Sequence, residues 1–279
     1  MANQGHIEVP DDIQVKGSSQ EEIAEAMSRL YRLFIKIGYV TEEEMKWPPH
    51  STSDLDIEFC RSQGLDENAI NLLQKIPWPT SNVNLELESN LVNFSDNDDL
   101  ESSRHPDFPY NDPDEYNPVV DGWLVPIAYH FSGEAVVVSI DTRTGILLRD
   151  CAYGLKETNG EPGDAYNTVE YLDDLHQEIL SLERIPANGL VINAVTYAST
   201  LGYDNDACYD KTKEALFKYG WPNEFRTEDW RVYMSWDLWD KWSREAQQQR
   251  RTERLRRQTE EGLAQMDLYN SSGASEREL

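Results

Sequence analysis

Cysteine is scarce in this chain of 279 residues: Cys60, Cys151 and Cys208 are all there are. They stand far apart, odd in number and in no CxxC or Cys/His spacing, which excludes a disulfide framework and a zinc site and predicts reduced, buried thiols. Long apolar runs are missing too. No stretch approaches the ~18 apolar residues of a membrane span, and Met1 to Asp12 lacks the apolar segment of a secretory leader. The expected setting is cytoplasmic, or nuclear if a basic segment described below serves as an address.

Positive charge is also in short supply, with 25 Lys and Arg against 52 Asp and Glu and a formal net charge of −27. Such a field repels phosphate backbones and anionic lipid over about 8 Å in physiological salt, so nucleic acid and membrane are disfavoured partners. It keeps the chain soluble, and it attracts a basic partner.

Catalytic signatures are absent: the sequence holds no GxSxG, HExxH, Walker loop, GxGxxG or zinc spacing. His6, His50, His105, His130 and His176 are scattered. Carboxylate pairs such as Asp173-Asp174 and Asp98-Asp99 abound, but a glycosidase needs two facing across a gap of about 5 to 10 Å, which sequence does not display. No catalytic residue, cofactor or metal is expected. Asp96, Asp98 and Asp99 cluster without the glycine and closing Glu of a calcium loop.

What the chain does have is 10% aromatic residues, including eight Trp and fourteen Tyr, enough for a compact body carrying polar extensions. The expected fold class is α+β, a small antiparallel sheet flanked by helices. Residues 1–18 read as a disordered N-terminus. Ser19-x-x-Glu22 is a capping box, and Ile23, Met27, Leu30, Phe34 and Ile37 follow at spacings of three and four up to Gly38, predicting an amphipathic helix. A short helix is expected to start at Thr41 and to end before Trp47-Pro48-Pro49, with two more over Asp54–Gln63 and Asp66–Ile76.

Thr80 to Asp121 carries eleven acidic residues and a lone cation, Arg104, and predicts a linker or acidic surface loop. Trp123–His130 and Ala135–Ile140 then form a hairpin about Gly133. A glycine turn, Asp141–Gly145, leads to a third strand, Ile146–Arg149. Ala135–Ile140 does not alternate, so this middle strand is expected to be covered on both faces. Past a loop at Asn159–Asp164, Val169, Leu172, Leu175, Ile179 and Leu182 predict a helix ending before Pro186. Further helices are expected near Val191–Leu201 and Asp206–Tyr219, stopped by Gly202 and by Gly220-Trp221-Pro222.

Residues 227–268 have few breakers and predict one long C-terminal helix, kinked or straight, with a disordered tail at 269–279. Trp230, Tyr233, Trp236, Trp239 and Trp242 recur every third residue and would spiral around such a helix. They pack it in a groove of the body, or they form an exposed aromatic platform. Between Lys241 and Gln258 seven basic residues meet two acidic ones, and Arg250, Arg251, Arg254, Arg256 and Arg257 make a basic arm. The arm is solvated, folds onto the acidic Thr80–Asp121 stretch, or acts as a nuclear address.

The segments Gly122-Trp-Leu-Val-Pro-Ile-Ala128, Gly133-Glu-Ala-Val-Val-Val-Ser-Ile-Asp141, Gly145-Ile146 and the helix over Tyr171–Leu182 resemble, in that order, the SMI1/KNR4 (SUKH) superfamily. Glu134 stands where an Asp is usual there, and Tyr129-His-Phe-Ser132 replaces a glycine-rich turn. The likeness spans Ser19 to Leu182 within an expected domain at 19–226. A second resemblance, carried by Trp47-Pro-Pro-His50, Cys60-Arg-Ser-Gln-Gly-Leu65 and Gly220-Trp-Pro-Asn-Glu-Phe-Arg226, is to fungal proteins with no assigned chemistry. The superfamily likeness implies a non-catalytic protein-interaction or regulatory module, with toxin-neutralising bacterial members and yeast regulators of cell-wall synthesis. The expected contacts to a protein partner, itself basic if it answers the acidic surface, are Trp230, Trp236, Trp239, Asp96, Asp98 and Asp99. The alternative is an enzyme or small-molecule binder with an aromatic pocket near Trp123, Trp221 and Trp230.

Overall fold

The computed structural model describes residues 15–86, 89–104, 120–129, 136–151, 164–193 and 205–275. The fold is α+β. Its first helix, α1 (Gln20–Ile37), opens with the Ser19/Glu22 capping box, closes on Gly38 in the left-handed conformation, and buries the predicted stripe from Ile23 to Ile37.

Thr41 and Glu44 also bond reciprocally, Thr41 N–H to Glu44 Oε2 at 2.7 Å and Glu44 N–H to Thr41 Oγ1 at 3.3 Å, yet no helix follows. The prolines at 48 and 49 leave room for a single turn, and the chain enters strand β1 (Met45–Lys46) instead, pairing with β2 (Trp78–Pro79). Between them lie α2 (Ile57–Ser62) and α3 (Glu67–Leu73), capped by Asp56 and Asp66. Both are shorter than their predicted spans.

The main sheet is a six-stranded antiparallel meander in sequence order: β3 (Asn84–Glu86), β4 (Ser89–Leu91), β5 (Leu124–Tyr129), β6 (Val136–Asp141), β7 (Ile146–Cys151) and β8 (Asp164–Asn167). The three strands expected near 123–149 are its centre. All six residues of β6 are buried, so both of its faces are covered. The expected connection at Gly133 lies outside the described residues.

The acidic stretch from Thr80 is no linker. It supplies β3, β4 and α4 (Asn97–Ser103), and it buries Val83, Leu85, Leu91, Val92, Phe94 and Leu100. Composition counted its charges but not their partners: Glu86, 4% exposed, is held by Arg149, and Ser89 Oγ by the backbone of Val136. Residues 105–119 lie outside the described residues. Arg104 is buried as well. Its guanidinium donates to the carbonyls of Asp121 at 3.2 Å, Leu124 at 2.9 Å and Val120, and so fixes where the chain enters β5. Burial pushes its pKa down to about 10.

Helix α5 (Thr168–Leu180) is capped by Asn167, buries Leu172, Leu175 and Ile179, and lies beside α1, where Arg29 meets Asp173 at 2.7 Å. A helix was expected near Val191. Instead β9 (Arg184–Ala187) and β10 (Leu190–Asn193) form a hairpin through Asn188 and Gly189, both at positive φ, as a primed two-residue turn requires. Residues 194–201 are outside the described set.

Helix α6 (Asn205–Lys218) leads to α7 (Thr227–Tyr233) and α8 (Trp236–Ser275). The single C-terminal helix is therefore two, broken where Met234 is extended, and α8 runs on through residues expected to be disordered. The N-terminal boundary shifts too. Lys16 to Ser18 are ordered: Ser18 N–H donates to Gly145 O at 3.0 Å, and Asn167 Nδ2 donates to Lys16 O. No helix among the described residues is long and apolar enough to cross a membrane.

Candidate functional site

The break at Met234 changes what the tryptophans do. Trp230 belongs to α7, is 2% exposed, and packs among Tyr219, Phe225 and Tyr233 with centroids 5.7 to 6.0 Å away. Trp239 and Trp242 belong to α8. With Ser243 and Ala246 they make one buried stripe at i, i+3, i+4 and i+7, so no spiral of aromatics exists. Trp239 is 1% exposed and its carbonyl lies 3.8 Å from Cys208 Sγ on α6; Lys211 lies over Trp242 and pairs with Glu245 at 3.0 Å. Trp230 and Trp239 are therefore packing residues and offer no free surface. The side chain of Trp236 lies outside the described residues.

Ser235 is the sequence signal for this break. Its hydroxyl accepts from Leu238 N–H at 3.3 Å and its carbonyl from Trp239 N–H at 3.2 Å, so it caps α8.

Beyond Ala246 the helix changes character. Every described side chain from residue 247 to 261 is exposed, Leu255 included, and Arg250, Arg251, Arg254, Arg256 and Arg257 are all in solvent. The arm does not fold onto the described part of the acidic stretch. At 100° per residue Arg250, Arg254, Arg257 and Glu261 share one face, with Arg251 at its edge. Glu253, Arg256 and Glu260 occupy the flank, and there Arg256 spends its charge on Glu260 at 2.8 Å.

On the body, one of the three acidic candidates, Asp96, lines an open cleft of 490 Å³ together with Thr52, Ser53, Asp56, Asn93, Ser95 and Asn97. Each carboxylate that lines it caps a short helix: Asp56 Oδ1 accepts from Phe59 N–H at 2.9 Å, and Asp96 Oδ1 from Asp98 N–H at 3.0 Å. The second oxygen of each accepts no hydrogen bond among the described residues. The lining contains hydroxyls, amides and two carboxylates but no cation, so its chemistry suits a guanidinium or ammonium guest.

Behind the cleft, Ser95 Oγ accepts from Trp78 Nε1 at 2.9 Å, and the Trp78 ring stacks on His50 at 3.8 Å. Asp98 is exposed. Asp99 is not: it accepts from Asn93 N–H at 2.6 Å and from the Tyr129 hydroxyl, and burial raises its pKa. Sequence proximity grouped Asp96, Asp98 and Asp99, whereas the fold turns the third inward and brings Asp56 to the first from 40 residues away.

Two further clusters are structural. Glu86 meets Arg149 and the Tyr171 hydroxyl, with Arg184 at 3.9 Å, and so is saturated by its own chain. Of the aromatic residues expected around a pocket, Trp221 and Trp230 are both buried and share Phe225 as a packing partner, whereas Trp123 lies beneath Arg143 at 4.0 Å. Cys60 and Cys208 are buried free thiols, and burial pushes the Cys60 pKa up to about 11. Among the described residues no group of three or more His, Cys, Asp or Glu is placed to hold a metal. No protein-family model matches the chain, and comparison with curated proteins and with solved structures returns no match.

Proposed function

We propose that the chain is a non-enzymatic interaction or regulatory module of SMI1/KNR4 (SUKH)-like type that binds protein through a basic helical arm and an acidic cleft. The observation that carries this reading is the arm. A helix with residues 247 to 261 exposed on every side gains nothing from burial, yet its root is locked into the body by Trp239, Trp242 and Ala246. Such a helix presents a surface, and Arg250, Arg254 and Arg257 make one face of it mainly basic, with Glu261 among them. The cleft at Asp56 and Asp96 presents the other sign to a basic segment. An intracellular setting belongs to the same reading, supported by the buried free thiols Cys60 and Cys208.

Affinity capture from native extract tests it, comparing the full chain with a chain ending at Ala246. The expected result is a stoichiometric protein partner that is lost or weakened without the arm. Recovery of no such protein at low as well as moderate salt overturns the reading. The nuclear form of the proposal rests on the exposed arginines, and imaging a tagged chain with all five changed to Ala decides it: an unchanged distribution removes the nuclear role.

A further inference from the structure

We propose that Thr259 on the arm is a phosphorylation site for an arginine-directed protein kinase, and that its phosphate switches off the positive charge of the arm. Thr259 is the only Ser or Thr in the chain with arginine both two and three residues before it, in Arg256-Arg257-Gln258-Thr259. Kinases of that class grip two such guanidinium forks with carboxylates of their own, so the pair selects which hydroxyl reaches the nucleotide. Thr252, the other threonine of the arm, has Gln249 at the third position.

The structure adds access. Thr259 and both arginines are exposed, as is every described side chain around them. A kinase takes its substrate extended, so α8 has to open near residue 259, and what holds the helix there is weak. The Thr259 hydroxyl bonds back to Leu255 O at 2.9 Å, and Arg256 pairs with Glu260 at 2.8 Å with both side chains largely in solvent. Gly262, a poor helix former, follows three residues on. Opening residues 255 to 261 therefore sacrifices no burial against the body.

In the transfer, Thr259 Oγ1 attacks the γ-phosphorus of ATP, the bond from that phosphorus to the β–γ bridging oxygen breaks, ADP leaves, and the hydroxyl proton passes to the catalytic carboxylate of the kinase. The consequence is electrostatic. From 247 to 261 the arm carries five arginines against Glu253, Glu260 and Glu261, a net charge of two positive. A phosphate of about −1.5 to −2 brings that segment close to zero, and it stands one turn from Arg256, where it competes with Glu260. A partner that reads the arm by its charge then loses its hold. This switch rests on the reading of the arm as a docking element; the acceptor site does not.

The test is to incubate the full chain with ATP, magnesium and the purified catalytic subunit of an arginine-directed kinase, and to map phosphate by mass spectrometry. One phosphate at Thr259 is expected. Thr259→Ala should lose it and Thr252→Ala should keep it, while Arg256→Gln with Arg257→Gln should lower kcat/KM for the transfer roughly tenfold or more. No phosphate on the wild-type chain overturns the site, as does phosphate that survives in Thr259→Ala or a rate indifferent to the arginine pair. Affinity capture from native extract then compares the unmodified chain, the phosphorylated chain and the phosphorylated chain after phosphatase treatment. Recovery of the partner is expected to fall roughly tenfold on phosphorylation and to return after the phosphatase. Equal recovery by the first two forms overturns the switch. If the unmodified chain captures no partner, the docking reading falls and the switch with it, and the mapped phosphate alone decides the acceptor.

Discussion

Arg149 on β7 clasps Glu86 on β3 with Nε and Nη2 at 3.0 and 2.8 Å from the same carboxylate oxygen, although three strands separate β3 from β7 in the sheet. Ser89, the first residue of β4, likewise reaches Val136 on β6. These two contacts tie β3 and β4 to strands further along the sheet. Glu86 is buried while Arg149 remains partly exposed at 31%. Removing the carboxylate takes from Arg149 its nearest anion, leaving it Asp164 at 4.0 Å, while Arg184 keeps Glu178 at 2.5 Å. Glu86→Ala is expected to cost about 3 kcal/mol, at the low end of the range for a broken buried pair. Glu86→Leu combined with Arg149→Met should cost less than either single change, as read by urea unfolding.

The N-terminal strap crosses the β6–β7 turn at two glycines that have no room for a side chain. A Cβ on Gly145, which sits at φ 70, would fall 1.8 Å from Ser18 O, and one on Gly17 would fall 1.5 Å from Thr144 O. Gly145→Ala is expected to destabilise the fold by about 2 kcal/mol or more and to free the strap. Faster amide exchange at Ser18, whose N–H is bonded to Gly145 O, reads the second effect. An unchanged exchange rate there would show that the strap is held by Asn167 alone.

His50 stacks on Trp78 and donates from Nε2 to the carbonyl of Ile76 at 2.8 Å, while its buried Nδ1 has no hydrogen-bond partner among the described residues. A proton added at Nδ1 would find no acceptor, and burial lowers the pKa from 6.5. The unfolded chain takes up this proton near pH 6.5 and the folded chain only at lower pH. Stability is therefore complete above that value and falls as pH drops below it, through the lowered folded pKa. His176 acts in the same direction, again through burial. Melting curves from about pH 7.5 to 5.5 should show a falling midpoint with a shallower slope in His50→Phe, the remainder belonging to His176.

The two halves of α8 should respond oppositely to change. Trp239→Ala empties a fully buried site and is expected to cost about 3–5 kcal/mol. Ending the chain at Ala246 removes only exposed side chains among those described, and should leave stability within about 0.5 kcal/mol. Thermal unfolding of both variants is the check; a large loss on truncation would mean that the arm packs on the body.

How far the sequence foretold this molecule depends on which residues are asked. The α1 stripe, the cap at Ser19 and the central strands of the meander were legible because each is written in local periodicity and capping chemistry. The flanking strands were not. β3 and β4 are short and acidic, and they become core only because Arg149, 63 residues away, neutralises Glu86. Asn188-Gly189 is a hairpin signal in the sequence, set against the apolar spacing near Val191 that predicts a helix. At the candidate site the exposed arginines were readable from composition. The cleft was not, because Asp56 and Asp96 meet only through the fold.

The docking of α7 on α1 also sets an order of events during synthesis. Arg231 Nη2 donates to Val40 O at 2.8 Å across 191 residues, and Thr227 Oγ1 donates to Lys36 O at 2.8 Å across the same interval. On a growing polypeptide the first helix is thus made early and sealed last, its end open to chaperones and proteases until some four fifths of the chain has been translated. Nascent chains stalled before Thr227 should be cut near Gly38 far more readily than chains stalled after Tyr233.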